Sequence, residues 1–335
     1  MLPQDFVATP DNPVPPGAVF ARVRTADGLA IRVARWHSQG EARGTVLIAQ
    51  GRAEYIEKYF ETVAELLQRG FCVIAFDWRG QGLSDREVAH KRKGHIDDFL
   101  IYERDLDAVV DQTLAPFCPK PWFGLGHSMG AAILLQQAHA RRSPFERLAL
   151  LAPLIDICDL PFPRAARLLA SFLDVLGLGA AFVPGGGETS LQTRPFKDNK
   201  LTHDPVRYRR NGDVIAAFTD IGVGDPTIGW VGAAFRLIDE FSDPEYPRRV
   251  LTPVLMFVAG SDRVVSSARA ERFGHRLKAG SVITLAQSGH EILSERDSVR
   301  ERFWAAFDAF IPGSRDEAER LVAKKAATIQ SSQVR

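Results

Sequence analysis

The chain has 335 residues, 45% of them hydrophobic, and 42 Lys and Arg against 41 Asp and Glu give a formal net charge of +1. This length and apolar content can bury a large core, and the balanced charge provides no general attraction for nucleic acid. Three cysteines, Cys72, Cys118 and Cys158, are too few and too scattered for a disulfide framework. Since the first residues also lack the features of a signal peptide, we expect a cytoplasmic protein without a nucleic-acid partner.

Strand and helix patterns alternate along most of the chain. A hairpin predicted over residues 18–36 is followed by apolar runs typical of buried strands, at 45–50, 71–77, 121–126 and 147–152. Helical periodicity separates these runs, at 55–69, 99–114 and 129–140. The alternation returns with strands at 253–258 and 281–285 and helices at 267–277 and 298–310. Because parallel strands need crossover connections, this pattern predicts a mostly parallel eight-stranded sheet with helices on both faces.

The alternation stops between residues 155 and 245, where apolar helices, a Gly-Gly-Gly run and polar turns predict an inserted helical cap. The predicted organisation is therefore a first core part at 1–154, the cap at 155–245, a second core part at 246–313 and a helical tail at 314–335. The apolar stretch 168–184 is interrupted by Asp174 and by glycines, so it falls short of a membrane-spanning helix. We interpret this stretch as a lid or pocket-lining segment.

The sequence Gly126-His127-Ser128-Met129-Gly130 fits the G-x-S-x-G nucleophile elbow. An apolar strand precedes it and a strong helix former follows, which is the context that this motif requires. The glycines allow the sharp turn that lifts the serine above the sheet. Ser128 is therefore the candidate nucleophile.

A serine nucleophile needs a histidine base, and the base needs a carboxylate to orient it. Asp262 follows the predicted strand 253–258, and His290 follows the next strand. The order Ser, Asp, His, with each residue after its own strand, is that of α/β-hydrolases. We predict Ser128, Asp262 and His290 as the catalytic residues, and the remaining histidines have no strand-end context or spacing that indicates a metal site.

Acyl transfer also needs donors for the oxyanion. Met129 supplies one backbone NH, and the loop Gln50-Gly51-Arg52 supplies the other, for which we favour Arg52. The guanidinium of Arg52 has two open interpretations: it binds a phosphate at the pocket mouth, or it forms a surface salt bridge with Glu54.

Two further polar segments receive structural interpretations. We expect Asp77 and Arg79 to pair and hold the loops of the glycine-rich strand end at 76–84. The basic run 90–93 is most simply a solvated loop, with attraction of phosphate-bearing substrates as the alternative.

The segments GHSMG, FDWRGQGLSDR, AGSDRVV and SGHE together resemble the α/β-hydrolase superfamily, and residues 46–84 resemble its bacterial lysophospholipase and monoacylglycerol lipase branch. The resemblance covers about residues 17–312 and implies hydrolysis of a single-chain lipid ester through an acyl-serine, without a cofactor. Its triad and oxyanion positions correspond to the five residues named above. Many monoacylglycerol lipases begin the oxyanion loop with His-Gly, whereas this chain has Gln50-Gly51, as lysophospholipase-like members tend to.

The resemblance also raises expectations for the cap. Residues 168–183 would form an acyl-chain channel or would simply pack on the core. The cap would touch a membrane peripherally, since such substrates lie in or near membranes.

Two alternatives to hydrolysis stay open. In an acyltransferase an alcohol or a second lysolipid replaces water at deacylation, and a non-catalytic binding protein keeps the fold without turnover. Ser128 excludes the hydrolases of this fold that carry a carboxylate at the elbow.

Overall fold

The computed structural model describes residues 6–158 and 163–312. Its centre is an eight-stranded sheet with the strand order β1-β2-β4-β3-β5-β6-β7-β8. The strands are β1 Val19–Arg24, β2 Ala30–Trp36, β3 Thr45–Ala49, β4 Cys72–Phe76, β5 Trp122–His127, β6 Arg147–Leu151, β7 Val254–Ala259 and β8 Gly280–Leu285.

Strand direction confirms the predicted mostly parallel sheet. Strand β2 pairs antiparallel with β1 and β4, and the other neighbours pair parallel. Every residue of β3, β4, β5 and β7 is buried, so both faces of the central sheet are covered. Because β3, β5, β7 and β8 run in one direction, the loops after them meet at one edge of the sheet.

Helices follow most strands, close to the predicted positions. Those of the core are α1 Phe60–Gln68, α2 Leu100–Val109, a short α3 Ala115–Phe117, α4 Ser128–His139, α9 Ser267–Gly274 and α10 Asp297–Phe310. A 3-10 turn, Ile56–Tyr59, precedes α1, and a π-helical turn, Val110–Leu114, extends α2. The edge-on packing of Phe71 against Phe307 and the contact of Phe257 with Phe303 join the sheet to α10.

The described residues between β6 and β7 form helices and turns without a named strand. The helices are α5 Pro163–Leu173, α6 Pro205–Ala217, α7 Ile228–Phe241 and α8 Tyr246–Arg249. Asp204 caps α6 by accepting hydrogen bonds from the NH groups of Val206 and Arg207, both at 2.9 Å. The boundaries at 154 and 245 remain predictions, and the predicted tail at 314–335 lies outside the described residues.

Ion pairs fasten this cap to the core. Glu61 of α1 accepts hydrogen bonds from Arg207 at 2.6 Å and from Arg210 at 2.7 Å, both in α6. His90 lies 3.0 Å from Glu188, and Lys91 pairs with Asp220. The basic run 90–93 is a solvated loop, as predicted, whose partly exposed side chains also contact the cap.

The turn after β4 is held by two separate charge networks. The buried Asp77 carboxylate pairs with Arg32 at 2.6 Å, whereas the buried Arg79 guanidinium pairs with Asp105 at 2.7 Å and Asp27 at 2.8 Å. The predicted pair between Asp77 and Arg79 is wrong, because each finds its partner on another part of the chain.

Several large apolar residues of α5 and of the π-helical turn after it, Asp174–Leu178, face solvent, whereas Ala170 is buried. The exposed fraction reaches 73% at Leu168, 61% at Phe172 and 87% at Val175. We call this set the apolar cap face; its residues are Leu168, Leu169, Phe172, Val175, Leu176 and Leu178. In the part of the chain that the structure describes, no helix is long and apolar enough to cross a membrane.

Candidate active site

Ser128 stands at a tight turn between β5 and α4. Its φ of +49° lies in the left-handed region, which L-residues adopt only where the surroundings impose it. The surroundings here are close backbone contacts. A Cβ at Gly126 would lie 2.7 Å from Cα of Ala131, and a Cβ at Gly130 would overlap the carbonyl oxygens of Ala49 and Gln50. Both glycines are therefore required for the serine to sit against the loop after β3.

The structure brings the three predicted catalytic side chains together. Ser128 Oγ lies 3.0 Å from Nε2 of His290, and Nδ1 of His290 lies 2.8 Å from Oδ2 of Asp262. These residues are up to 162 positions apart in sequence and follow β5, β7 and β8. The chain of contacts has the geometry in which a histidine can take a proton from a serine hydroxyl.

Asp262 is held as a carboxylate. Burial opposes its charge, but the adjacent His290 and the NH groups of Val264 and Val265 outweigh burial and lower the pKa of Asp262. Those NH groups donate at 2.7 Å and 3.0 Å to Oδ1, which leaves Oδ2 directed at His290. The aspartate is thereby fixed in position and in charge.

In the loop after β3, one backbone NH lies between two that have acceptors. The NH of Gly51 donates to Glu54 at 2.5 Å, and the NH of Ala53 donates to Gln81. Within the described residues, the NH of Arg52 between them has no such acceptor. The NH of Met129 lies in the first turn of α4, where a helix provides no internal acceptor. Both predicted oxyanion positions border the same cavity as Ser128.

The cavity above Ser128 has a volume of about 240 Å³ and a mainly apolar wall. Core and cap both contribute to this wall, with Met129, Leu154, Val264 and Val265 from the core and Leu191, Leu201, Pro226, Trp230 and Val231 from the cap. No described residue of 168–183 belongs to it. The predicted acyl-chain channel along that segment is therefore wrong. The alternative of plain packing on the core holds for Ala170, Leu173 and Ala181 and does not hold for the exposed members of the segment.

A buried group of four charged residues lies directly behind the histidine, and the sequence interpretation missed it. Lys58 bridges Glu54 at 2.5 Å and Glu291 at 2.6 Å. Nδ1 of His127 lies 2.9 Å from Glu54, and Nε2 of His127 lies 3.1 Å from the carbonyl oxygen of His290. The i, i+4 spacing of Glu54 and Lys58 is the one signal in the sequence that could have indicated part of this quartet.

Mutual charges favour the ionised forms of His127 and Glu54. Burial opposes the charge of His127, but Glu54 outweighs it and raises the pKa of His127. Burial likewise opposes the charge of Glu54, and His127 with Lys58 holds the pKa of Glu54 well below its usual range. A charged His127 can donate from both ring nitrogens, so it supports the backbone of His290. The predicted salt bridge from Arg52 to Glu54 is wrong, because Glu54 is occupied by this quartet.

The family model described as "Serine aminopeptidase, S33" matches residues 40–297. The chain belongs to the S33 family of α/β-hydrolases. The recognised superfamily and the fold class are thereby confirmed. Lysophospholipase L2 of Escherichia coli K12 is 32% identical over 295 residues, which cover 82% of each chain. Monoglyceride lipase of Rattus norvegicus is 31% identical over 158 residues, which cover 46% of this chain and 50% of the lipase.

Solved structures place this S33-family protein in the same fold. A soluble variant of monoglyceride lipase from Saccharomyces cerevisiae superimposes with a TM-score of 0.69 at 18% identity, covering 92% of this chain and 97% of the lipase. A monoacylglycerol lipase from Paleococcus ferrophilus gives a TM-score of 0.64 at 19% identity, with coverage of 85% and 99%. The prediction of a serine hydrolase is confirmed by the family together with these relatives.

Proposed function

We propose that this protein is a serine esterase that hydrolyses a carboxylic ester of a single-chain lipid, either a lysophospholipid or a monoacylglycerol. The observation that carries the proposal is the line of contacts from Ser128 through His290 to Asp262, opening into an apolar cavity. The names of the S33 relatives, lysophospholipase L2 and monoglyceride lipase, support the lipid class. The acyl chain of such a lipid matches the apolar wall of the cavity. The proposed reaction uses no cofactor.

The proposed reaction uses two displacements at the acyl carbon. His290 takes the proton of Ser128 as Oγ attacks the ester carbonyl, and the NH groups of Arg52 and Met129 stabilise the oxyanion. His290 then gives this proton to the leaving glycerol oxygen, and the acyl group remains on Ser128. In the second displacement His290 deprotonates a water that attacks the acyl-serine, and the proton returns to Oγ as the fatty acid leaves.

A fluorophosphonate probe tests the activated serine. We expect the wild type to gain one adduct by intact mass, and Ser128→Ala to gain none. Hydrolysis of lysophosphatidylcholine and of a monoacylglycerol would then identify the preferred ester. Labelling at another residue, or turnover retained by Ser128→Ala, would contradict the assignment.

Product analysis separates hydrolysis from acyl transfer. Fatty acid as the main product in the presence of an acceptor alcohol agrees with a hydrolase. Transfer of most acyl groups to the alcohol would favour the acyltransferase alternative, for which the described residues offer no specific support.

We also propose that the protein binds membrane surfaces from the cytoplasmic side through the apolar cap face. Several large apolar side chains exposed close together on one segment are typical of a surface that contacts a partner or a membrane. The free cysteines support a reducing compartment. We expect the double variant Phe172→Ser with Val175→Ser to lose sedimentation with phosphatidylethanolamine and phosphatidylglycerol vesicles, and the control Leu251→Ser, an exposed leucine outside the apolar cap face, to retain it.

A further inference from the structure

The side chain of Arg52 extends from the loop after β3 to the cap. Its Nη2 donates to the carbonyl oxygen of Gly224 at 2.8 Å, and its guanidinium carbon lies 5.2 Å from the ring centroid of Trp230. Arg52 and Trp230 both border the cavity above Ser128. The guanidinium thus contacts Trp230, a residue of the wall that a bound ester would face.

No carboxylate forms a salt bridge with this guanidinium among residues 6–158 and 163–312, although the charge of Asp225 acts on it from a greater distance. The acid that follows Gly224 in sequence, Asp225, binds Arg194 with both oxygens at 3.0 Å and accepts the NH of Gly187. Nε of Arg52 is buried without a hydrogen-bond partner. Burial lowers the pKa of Arg52 to about 10, so the group still carries its charge at neutral pH.

An unpaired cation beside an apolar cavity is costly unless a ligand compensates it, and the stacking on Trp230 offsets only part of that cost. Guanidinium is the side chain best suited to bind phosphate, because its fork of NH donors matches two phosphate oxygens. A monoacylglycerol is uncharged and would leave the cation uncompensated. A lysophospholipid carries a phosphate at the far end of its glycerol.

The lengths of the covalent chains in a lysophospholipid and in Arg52 agree with a contact between the phosphate and the guanidinium. In a lysophospholipid, the three glycerol carbons and two oxygens connect the phosphorus to the acyl carbon. In Arg52, a chain of comparable length connects the guanidinium carbon to the backbone nitrogen. A residue whose NH contacts the oxyanion can therefore reach the phosphate of the same molecule with its side chain.

We propose that Arg52 makes the site selective for esters with an anionic phosphate head group, which its guanidinium binds while the acyl carbon lies at Ser128. This inference rests on the proposed function and narrows its substrate to lysophospholipids. In this proposal the selectivity depends on the side chain of Arg52. A neutral residue at this position removes the charge that pairs with the substrate phosphate and keeps the backbone NH that donates to the oxyanion.

The test compares two esters with the same acyl chain, 1-acylglycerol 3-phosphate and 1-acylglycerol. We expect Arg52→Gln to lower the ratio of kcat/KM for the phosphate ester to that for the neutral ester by about tenfold or more. Arg52→Lys keeps the charge without the fork and should fall between. An unchanged ratio in Arg52→Gln would indicate that the side chain only connects the core to the cap, and would overturn the proposal.

Arg167→Gln is the matched control. Arg167 also combines a polar and an aromatic contact in the cap, pairing with Asp239 at 2.8 Å and lying 5.3 Å from the ring of Phe235, but it does not border the cavity. Its loss should leave the substrate ratio unchanged. A drop in Arg167→Gln equal to that in Arg52→Gln would attribute the effect to cap stability and contradict a phosphate contact.

Protection experiments on the wild type give a second readout that does not depend on variant folding. Glycerol 3-phosphate should slow fluorophosphonate labelling of Ser128, and glycerol at the same concentration should not. Equal effects of both compounds would contradict the proposal. Inorganic phosphate that protects as well as glycerol 3-phosphate, together with an unchanged lipid ratio, would indicate a site for the free anion and contradict the head-group assignment.

Failure of this inference is distinct from failure of the proposed function. Hydrolysis of both esters with an unchanged ratio in Arg52→Gln contradicts the phosphate contact and leaves the esterase intact. The absence of hydrolysis of either ester, with no labelling of Ser128, contradicts the esterase itself.

Discussion

Replacing Gly130 by alanine tests how closely the nucleophile elbow and the loop after β3 must approach. The added Cβ would overlap the carbonyl oxygens of Ala49 and Gln50, which are main-chain atoms and cannot rotate away. Restoring ordinary contact distances requires the loop or the helix to move by about 1 Å. Arg52 lies two residues after Gln50 on this loop. The movement would therefore shift the NH of Arg52 away from its proposed oxyanion position.

Two energies act in opposite directions in Gly130→Ala. Alanine gains at most about 1 kcal/mol over glycine by helix propensity, whereas overpacking costs about 1–3 kcal/mol. We therefore expect a net loss of about 1–2 kcal/mol in the free energy of unfolding. A shift of about 1 Å in a catalytic group lowers rates by about 100-fold, so kcat should fall by that factor.

Gly232→Ala is the matched control for this substitution. Gly232 is also helical, but an added Cβ there meets only Nη1 of Arg236 at 3.6 Å, the end of a flexible side chain. Urea unfolding should show this variant stabilised by up to about 1 kcal/mol, and ester hydrolysis should be unchanged. A Gly130→Ala variant as stable as the control, with the kcat of the wild type, would refute the reasoning.

Three further predictions concern charged groups. Asp262→Asn should keep the fold and lose about 10⁴ in kcat, because the amide cannot hold the required tautomer of His290; turnover within tenfold of the wild type would contradict this. Lys58→Met leaves Glu54 and Glu291 with His127 as their one cation in the quartet. The free energy of unfolding in urea should therefore fall by about 3–5 kcal/mol, and the double variant with Glu291→Gln should recover part of this loss. A loss under about 1 kcal/mol would show that water reaches the quartet. For Glu61, burial opposes the charge, but Arg207, Arg300 and Arg210 outweigh it and lower the pKa from 4.5 to about 2. The stabilisation by the Glu61 carboxylate is therefore complete above pH 4.5 and disappears as pH falls toward 2. Above pH 4.5 the wild type should exceed Glu61→Gln in unfolding free energy by about 1–2 kcal/mol after solvent screening. This difference should disappear between pH 4.5 and 2. A gap independent of pH would contradict the assignment to this carboxylate.

The strands were predictable because their sequences leave little alternative. Runs such as residues 72–76 and 254–259 are apolar at every position, which only a strand buried on both faces accommodates. The order Ser128, Asp262, His290 was predictable because each residue follows a predicted strand, although β8 before His290 is less apolar than the central strands. Loops at the carboxyl ends of parallel strands must meet, whatever the segments between them do.

The partners of charged side chains could not be predicted in the same way. Lys58 and Glu291 are 233 positions apart, and their contact depends on how two loops pack behind His290. Arg52 lies two residues before Glu54 in sequence and nevertheless extends to a cap residue 172 positions away. Local sequence cannot rank such partners, because the burial that selects among them arises only after the sheet and cap have formed.

The exposure of the apolar cap face was also beyond the sequence. A helical apolar stripe indicates that one face avoids water, but it carries no information on what covers that face. The large apolar residues of the apolar cap face have the composition of a buried segment and face solvent in this chain.

Strands β6 and β7 are hydrogen-bonded neighbours, yet the whole cap lies between them in sequence. The cap is thus an elaboration of one crossover, and its length does not affect the pairing of any strand. Evolution or design can therefore exchange this segment to change which molecules reach the nucleophile, while Ser128, Asp262 and His290 keep their spacing on a separate framework. Arg52 connects the sheet framework to the cap, because its backbone belongs to the framework and its side chain contacts the cap.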